Sequence, residues 1–414
     1  MHKMTMLTTA LTVLGLGITG TARAETIKIA LIDPLSGPVA VYGDQEKKSL
    51  DFVLDIANRE GWAGPGVTFE AVGFDNKGSP QEATQQFKNA TDQGFRYIYQ
   101  GLSSAVGLAL VDAVNKYNER NPGKEVVYLN PTNTAPEMTN EKCSFWHFRF
   151  DSNTDMKSAG LASFLARDKA LKKVYQINQN YATGQGIATA IREGLKKARP
   201  DIEFVGDDLH QMFQVKDFSP YISKVKASDA QVLVTGNWGA DLNLLLKSAK
   251  DSGLKIPVYG VNAQGSGTPT ALAAANVDNV YNLTTWSPND DIVASKPLYI
   301  GFKEKYPGLE WIFQTYNPVK LVSQAMVKAK STDPVAVARA LEGLKVQGLV
   351  GEVEMRKEDH QTIQPLEVQQ WTKTNGKDVF YDTENTGWGW KRIDTVDRAS
   401  STLPSTCQMK RPAT

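Results

Sequence analysis

Short apolar runs alternate with amphipathic segments along most of the chain. Thr26–Ile32 carries the β-branched residues of a buried strand, and Leu50, Val53, Leu54 and Ala57 then recur at the spacing of one helix face. The alternation predicts these further elements: strands Val67–Phe74, Tyr97–Tyr99 and Val126–Leu129, and helices Pro80–Asp92 and Ser103–Tyr117. Strand–helix order of this kind predicts a parallel α/β sheet covered on both faces.

A second strand–helix series begins near Phe145–Phe150. It predicts strands Lys173–Ile177, Ile202–Val205, Gln231–Thr235 and Pro257–Val261, and helices Gly186–Lys197, Tyr221–Lys226 and Ala240–Asp251. Two such series predict two α/β lobes that clamp a ligand between them. After Tyr281–Trp286 the pattern predicts three helices and then three strands: Pro297–Tyr306, Thr315–Lys330, Asp333–Leu344, Gly351–Met355, Leu366–Trp371 and Val379–Tyr381.

Residues 1–24 have the pattern of a cleaved export signal. Lys3 precedes an apolar run that ends near Gly20, and Ala22-Arg23-Ala24 supplies an A-x-A step. The alternative is a membrane anchor, but threonines and glycines interrupt the run, which is marginal for the roughly 20 residues of a spanning helix. We therefore expect cleavage after Ala24 and export of a soluble mature protein.

Composition narrows the class of protein further. The chain is 41% hydrophobic and 22% charged, as in ordinary packed proteins. Loss of Lys3 and Arg23 with the signal turns 46 basic residues into 44, against 45 acidic ones, a net charge of −1. So balanced a surface gives no electrostatic reason to expect binding of nucleic acid or an anionic membrane. The remaining chain, roughly 390 residues, exceeds what one core usually supports, so we expect two domains.

Cys143 and Cys407 are the two cysteines of the sequence. In an oxidising compartment an even pair predicts a disulfide. This one would tie the C-terminal tail to the middle of the chain and contribute roughly 4–5 kcal/mol in the chain-entropy treatment. The alternative is two unrelated free thiols, and two cysteines alone do not make a metal site.

The sequence lacks the usual patterns of catalysis and cofactor binding. His2 lies in the signal, and His147, His210 and His360 are far apart. No H-E-x-x-H, C-x-x-C, G-x-S-x-G or P-loop motif occurs, and Gly265-Ser266-Gly267 lacks the flanking spacing of a nucleotide loop. A triad can assemble from distant residues, but nothing here supports one. We expect a protein that is not an enzyme and that needs no metal or cofactor.

Five short sequence motifs lie at the ends of predicted strands or helices. They are Pro34–Asp44 (PLSGPVAVYGD), Phe74–Pro80 (FDNKGSP), Gly101–Ser104 (GLSS), Asn130–Glu137 (NPTNTAPE) and Asp217–Ile222 (DFSPYI). Each motif alone is weak, but together, and across nearly the whole mature chain, they resemble the Leu/Ile/Val-type periplasmic binding proteins of ABC importers.

The resemblance implies a type I binding-protein fold, with two Rossmann-like lobes, parallel central sheets and a three-strand hinge. Lobe 1 would comprise residues 25–149 and 286–352, and lobe 2 residues 150–285 and 353–414. Such a protein, a periplasmic monomer, captures a small carboxylate ligand and delivers it to permease subunits in the inner membrane. The alternative is a sensor or regulator on the same fold that signals to a protein partner.

A carboxylate site is predicted where the strand Tyr97–Tyr99 meets its helix. Free N–H groups and the helix dipole at Ser103, Ser104 and Ala105 favour an anion. The structural alternative is a helix cap at Ser103 and a closed turn at Thr134. The resemblance implies that the side chains of Ser104 and Thr134 bind the ligand carboxylate. The neighbouring residues of the implied site are Ser103, Ala105, Thr132 and Asn133.

Aromatic side chains are predicted on both sides of the cleft. By the resemblance Tyr42 lines the mouth on lobe 1 and Trp238 lines lobe 2, with Tyr181 on a neighbouring loop. Trp238 directly follows a buried strand and is flanked by Gly236-Asn237 and Gly239, so its ring can project from the loop. Aromatic walls suit an apolar or planar ligand body. The alternative is ordinary packing.

Asn262 departs from the family pattern. Amino-acid receptors of the family keep an acidic residue at this position, after the strand Pro257–Val261, to pair with the ligand ammonium. An amide supplies no countercharge for a desolvated cation. Asp241 is a possible substitute, although we expect it to cap its helix or face solvent. Two ligand classes stay open, a branched-chain or related amino acid and a carboxylate without an α-ammonium, and we take the second as a hypothesis to test.

Overall fold

The computed structural model describes residues 24–37, 39–289 and 295–412. The predicted signal peptide, residues 1–24, therefore lies outside the described residues except for Ala24. The described chain forms two α/β lobes, as the sequence predicts, and a smaller third sheet.

The sheet of lobe 1 is parallel throughout, in the order β2-β1-β3-β4-β5. Successive residues of a strand point to opposite faces, so Ile29 and Leu31 enter one core while Ala30 and Ile32 enter another. The strands are β1 (Glu25–Leu31), β2 (Val67–Gly73), β3 (Tyr97–Tyr99), β4 (Val127–Asn130) and β5 (His147–Arg149). The connecting helices are α1 (Ala40–Glu60), α2 (Pro80–Asp92) and α3 (Ser104–Arg120).

The sheet of lobe 2 has seven strands in the order β15-β14-β10-β9-β8-β6-β7. Its strands are β6 (Lys173–Gln179), β7 (Glu203–His210), β8 (Val232–Thr235), β9 (Val258–Gly260), β10 (Val280–Thr284), β14 (Leu366–Lys373) and β15 (Trp388–Val396). Strands β6 to β10 pair in parallel and the last two pair antiparallel. Its helices are α4 (Thr154–Ala166), α5 (Ala182–Ala198), α6 (Ser219–Ala227), α7 (Gly239–Asp251) and α8 (Thr268–Ala274).

The late part of the chain returns to lobe 1 before it completes lobe 2. Phe302, Leu321, Leu341 and Met355 are buried in the same core as Leu31. The elements of this part are helices α9 (Lys296–Lys305), α10 (Tyr316–Ala329), α11 (Pro334–Leu341) and α12 (Arg398–Ser401), and an antiparallel sheet of β11 (Lys345–Gln347), β12 (Glu352–Met355) and β13 (Thr362–Ile363).

Several elements differ from the sequence prediction. The α4 helix was not predicted, because its residues are buried on most sides and show no apolar stripe. The α8 helix has seven residues and was also missed. The predicted strand Val379–Tyr381 is wrong: Asn289 Oδ1 accepts from the backbone N–H groups of Phe380 and Tyr381, at 2.9 and 2.8 Å, so a side chain replaces a strand partner. The actual strand, β15, begins at Trp388.

The crossovers between the lobes are hydrogen-bonded to one another. Arg149 Nε donates to Gln361 Oε1 at 2.7 Å, and the Thr362 hydroxyl donates to the Arg149 carbonyl oxygen at 2.7 Å. Gln361 Nε2 also donates to the carbonyl oxygen of Asp151 at 2.8 Å. Buried hydrogen bonds of this kind align the crossing strands, which is what a shared hinge requires.

The predicted disulfide between Cys143 and Cys407 is confirmed, with the two Cα atoms 5.6 Å apart, and free thiols are ruled out. The tail around it is held to lobe 1. Thr406 N–H donates to Asn140 Oδ1 at 3.3 Å, and Arg411 forms an ion pair with Glu342 at 3.0 Å.

Candidate ligand-binding site

The N-terminus of α3 is open. Ser103 precedes the helix with φ 76° and its side chain makes no capping bond, so the structural alternative of a side-chain cap is wrong. A non-glycine residue at positive φ is uncommon. The first-turn N–H groups, which include those of Ser104 and Ala105, have no partner within the helix. Ser103 and Ala105 are exposed and Ser104 is half-buried. This helix end can therefore receive an anion.

A hydrogen bond brings the loops after β3 and β4 together. Ser104 Oγ accepts from the backbone N–H of Ala135 at 3.3 Å, which leaves the serine hydroxyl hydrogen free to donate. Thr134 is half-buried, and its carbonyl oxygen accepts from Thr154 N–H at 3.0 Å, where lobe 2 begins. Its hydroxyl group has no partner among the described residues. The two hydroxyl groups predicted to hold a carboxylate thus lie on adjoining loops near the hinge.

The other two members of the predicted set are held by the loop itself. Thr132 Oγ1 donates to the Gly101 carbonyl oxygen at 2.8 Å. Asn133 is 2% exposed, and its Nδ2 donates to Gln100 Oε1 and to the Tyr128 hydroxyl oxygen, each at 2.8 Å. The side chain of Asn133 therefore belongs to the polar core beneath the site, and its backbone N–H and carbonyl oxygen bond to the side chain of Asn130, at 2.8 and 3.3 Å.

Asp33, which the sequence reasoning missed, anchors this cradle. Its carboxylate accepts from the N–H groups of Gly101 and Leu102 at 3.2 and 3.0 Å. Complete burial raises the pKa of Asp33 to about 7, against the opposing effect of these hydrogen bonds. Glu46 accepts from the Tyr99 hydroxyl at 2.8 Å, and burial together with Asp33 raises its pKa to about 8. The position of Asp33, directly after β1, was the available signal, because ligand sites gather at the carboxyl ends of parallel strands.

Two aromatic residues face each other on lobe 2. Tyr181 precedes α5 and Trp238 precedes α7, and the Trp238 indole Nε1–H donates to the Tyr181 hydroxyl oxygen at 3.2 Å. Trp238 is 40% exposed, so it is not an ordinary packed core residue. Burial raises the pKa of the Tyr181 hydroxyl. The structure thus brings these two predicted residues together at the carboxyl ends of neighbouring strands.

Asn262 and Asp241 are both tied to the surrounding loops. Asn262 Nδ2 donates to the Gly236 carbonyl oxygen at 2.9 Å, linking the loops after β8 and β9. Asp241 is 1% exposed, so the prediction that it faces solvent is wrong. Instead its Oδ2 accepts from Gln179 Nε2 and from Phe213 N–H, each at 2.8 Å. Asp241 is therefore buried and stabilises the protein loops through Oδ2.

The two lobes touch where α1 meets the loop after β9. The Ser266 hydroxyl donates to Gln45 Oε1 at 2.8 Å, and the Tyr42 hydroxyl donates to the Ser266 carbonyl oxygen at 3.4 Å. Tyr42 thus lies between the lobes, in the region predicted for it. The partners of Tyr42 on lobe 2 were not foreseen, because Gly265-Ser266-Gly267 reads in sequence as a plain flexible turn.

Among the described residues there is neither a candidate metal site nor a candidate membrane-spanning helix. In residues 24–37, 39–289 and 295–412, His, Cys, Asp and Glu form no group of three or more able to hold a metal ion. Over the same ranges, no helix has the length and apolar content to cross a bilayer.

Two α/β lobes, hinge strands bonded to one another and an open helix end near the hinge define a two-lobed binding protein of type I topology. The family described as periplasmic binding protein matches residues 26–377. The chain belongs to this family.

Relatives define the subgroup. The chain is 32% identical over 411 residues to Leu/Ile/Val-binding protein homolog 4 of Brucella abortus, covering 94% of each chain. It is also similar to the closed crystal structure of a leucine-, isoleucine-, valine-, threonine- and alanine-binding protein from Brucella ovis, with TM-score 0.83, 31% identity and coverage of 94% of this chain and 100% of that one. These similarities confirm the resemblance to the Leu/Ile/Val type that the sequence motifs indicated.

A more distant structure shares the fold alone. It is a solute-binding protein of an ABC transporter from Rhodopseudomonas palustris in complex with 3,4-dihydroxybenzoic acid, with TM-score 0.74 and 17% identity over 90% of this chain and 98% of that one.

Proposed function

We propose that this protein is the periplasmic receptor of an ABC importer. It captures a small carboxylate between its lobes and presents it to permease subunits in the inner membrane. It acts as a monomer, is exported through a cleaved signal, and catalyses no reaction. Membership of the periplasmic binding protein family supports the binding role and the compartment in general terms.

The open end of α3 carries the proposal of a carboxylate ligand. Free N–H groups at Ser104 and Ala105 lie beside two hydroxyl groups that are free to donate, those of Ser104 and Thr134. A hydrogen bond to a charged group contributes roughly 1.5–3 kcal/mol. Two or three such bonds account for much of a micromolar affinity, which corresponds to about −8 kcal/mol.

We further propose a division into lobes that departs from the prediction in two places. The boundaries at residues 149/150 and 285/286 are kept. The third boundary, predicted at residues 352/353, is moved to about Gln364–Pro365, because Met355 packs in the core of lobe 1. The tail beyond residue 402 is assigned to lobe 1, because Cys407 is bonded to Cys143 and Arg411 is paired with Glu342.

We infer that the ligand carries a carboxylate and no α-ammonium. Asn262 offers an amide where an ammonium needs a countercharge, and Asp241 is turned inward toward Gln179 and Phe213. An uncompensated ammonium in a closed cleft would lose its hydration without gaining an ionic partner.

A thermal-shift screen tests both proposals. Mature protein is unfolded in denaturant to remove carried-over ligand, refolded with its disulfide intact, and heated with branched-chain and aromatic amino acids, benzoate, hydroxybenzoates or hydroxycinnamates. A ligand at 100 times its Kd adds about 2.7 kcal/mol to the free energy of unfolding. Stabilisation by plain carboxylates is the expected result. Stabilisation by leucine alone would contradict the ligand class, and no stabilisation by any carboxylate would contradict the function.

A further inference from the structure

We propose that Phe213 is a specificity-determining residue of this site and that it selects a carboxylate with a planar ring. The inference rests on the proposed function and deepens it. Phe213 lies in the loop after β7, on no motif that the sequence analysis singled out. Its ring stands edge-to-face against Trp238, with centroids 4.9 Å apart and planes at 86°. Phe213 and Trp238 are 39% and 40% exposed, so each leaves part of its ring uncovered by protein.

The loop lies on the side of lobe 2 that faces lobe 1. Strands β7, β6, β8 and β9 are parallel neighbours, so the loops at their carboxyl ends emerge from the same edge of the sheet. One of these loops contains Ser266, which contacts Gln45 of lobe 1. Tyr181, Trp238 and Phe213 are on the other three. Phe213 therefore extends the aromatic wall of Tyr181 and Trp238 outward along the same edge.

The exposed ring is held in place by the backbone beneath it. Phe213 has φ 59°, a conformation that costs a bulky residue energy, so it persists only where the surroundings enforce it. The enforcing contact is the bond from Phe213 N–H to the buried Asp241 carboxylate, 2.8 Å. Gly239 lies directly under the ring: a Cβ atom there would be 3.4 Å from Phe213 Cε1. The Phe213 ring is thus apolar, exposed and held in a strained conformation at the edge of lobe 2 that faces lobe 1, where it can contact the ligand.

Asp241 is the positioning residue of the wall. Its Oδ2 accepts from Phe213 N–H and from Gln179 Nε2, and Gln179 Nε2 also lies 3.5 Å from the Trp238 carbonyl oxygen. One buried carboxylate at the start of α7 thus connects the end of β6 with the loop after β7. Two perpendicular rings offer a planar ligand a face to stack on and an edge to meet, and aromatic pairs prefer both geometries. A branched aliphatic group gains only from buried area.

Two carboxylates that lack an ammonium group distinguish the effect of a planar ring from that of apolar bulk. They are benzoate, which has the ring, and 4-methylpentanoate, which has a branched aliphatic group. Calorimetric titration of the mature protein should give tighter binding of benzoate. Phe213→Leu keeps the apolar bulk and removes the ring, and should weaken benzoate about tenfold and 4-methylpentanoate no more than about threefold. Phe380→Leu is the matched control, because Phe380 is an exposed phenylalanine, 54%, on a different loop. It should leave both affinities unchanged.

Asp241→Asn should lower the preference for benzoate in parallel with Phe213→Leu, and the double variant should add little to either. A lower melting temperature with an unchanged preference would assign Asp241 a structural role only. Unchanged benzoate binding in Phe213→Leu, or an equal loss for both ligands, would overturn the role of Phe213 while the receptor function stands. Failure of the unmodified protein to bind any carboxylate would overturn the function itself.

Discussion

The hydroxyl group of Ser266 donates a hydrogen bond to the side-chain oxygen of Gln45, 2.8 Å away on the opposite lobe. The same serine accepts the Tyr42 hydroxyl through its carbonyl oxygen. Both contacts join α1 to the loop after β9. They pass directly from one lobe to the other, so these bonds depend on how closely the lobes approach.

Ser266→Ala should weaken ligand binding by up to about tenfold, because one neutral hydrogen bond of the closed arrangement is lost. The loss should appear in the dissociation rate, which stopped-flow measurement of ligand release checks. Ser223→Ala serves as the control, since its hydroxyl bonds within its own helix, to the Ser219 carbonyl oxygen. Equal rates for the two variants would exclude a contribution of the Ser266 hydroxyl to closure.

Ser104→Ala and Thr134→Val should each weaken binding of a carboxylate by about 10- to 100-fold, because each removes a hydrogen bond to a charged group. Isothermal titration with the carboxylate found in the screen measures the loss. Thr84→Ala, on the exposed face of α2, removes a hydroxyl that bonds only to the Pro80 carbonyl oxygen and should bind normally. If the site variants bind as tightly as this control, the carboxylate lies elsewhere.

Stability should fall as the pH rises from about 6.5 to about 8, a range in which His147 and His360, whose pKa values burial lowers, are largely neutral in both the folded and the unfolded state. Burial raises the pKa of Asp33 to about 7 and that of Glu46 to about 8, whereas both groups regain ordinary values near 4 on unfolding. The folded state therefore holds protons that the unfolded state has lost, and ionising these carboxyl groups penalises the fold. Urea unfolding across this range checks the slope.

Glu46→Gln removes one of these titrating groups and should flatten the upper part of that dependence. The exposed Glu119→Gln is the control and should leave the slope unchanged. A free energy of unfolding that stays constant between pH 6.5 and 8 in the unmodified protein would contradict the raised pKa values.

Cys143→Ser and Cys407→Ser should each lower the free energy of unfolding by roughly 3–5 kcal/mol, because the unfolded chain loses a cross-link over a sequence separation of 264 residues. Denaturant midpoints measure the change. The double variant should be no less stable than either single one, since one bond is lost in all three. Additive losses would mean that each cysteine contributes through packing instead.

Local signals explain why the first lobe was predicted well. The Pro80–Asp92 helix was predicted with both ends correct because Ser79 caps it and proline occupies its first turn. The α4 helix had no such periodicity, since Met156, Leu161 and Leu165 are buried among other buried residues. The β15 strand was missed because Gly387, Gly389 and a run of charges resemble a loop.

Some residues of the candidate site could likewise be predicted from the sequence and others could not. Ser104, Thr134 and Trp238 follow predicted strands, so sequence order and a family motif were enough to propose them as site residues. Phe213 and Asp241 are 28 positions apart and meet only when the loops after β7 and β8 fold against each other. No spacing along the chain records that contact, and it became visible only with the backbone in three dimensions.

The Cys143–Cys407 bond also has a mechanical consequence. The closed loop between the two cysteines contains every strand of lobe 2, from β6 to β15, together with the hinge. If the chain is pulled from its two ends, tension passes through the bond and bypasses everything inside the loop. Only the segments before Cys143 and after Cys407 can extend. Until the bond is reduced, lobe 2 carries no load, and stretching the molecule extends only the first part of lobe 1, up to Cys143, and the short tail after Cys407.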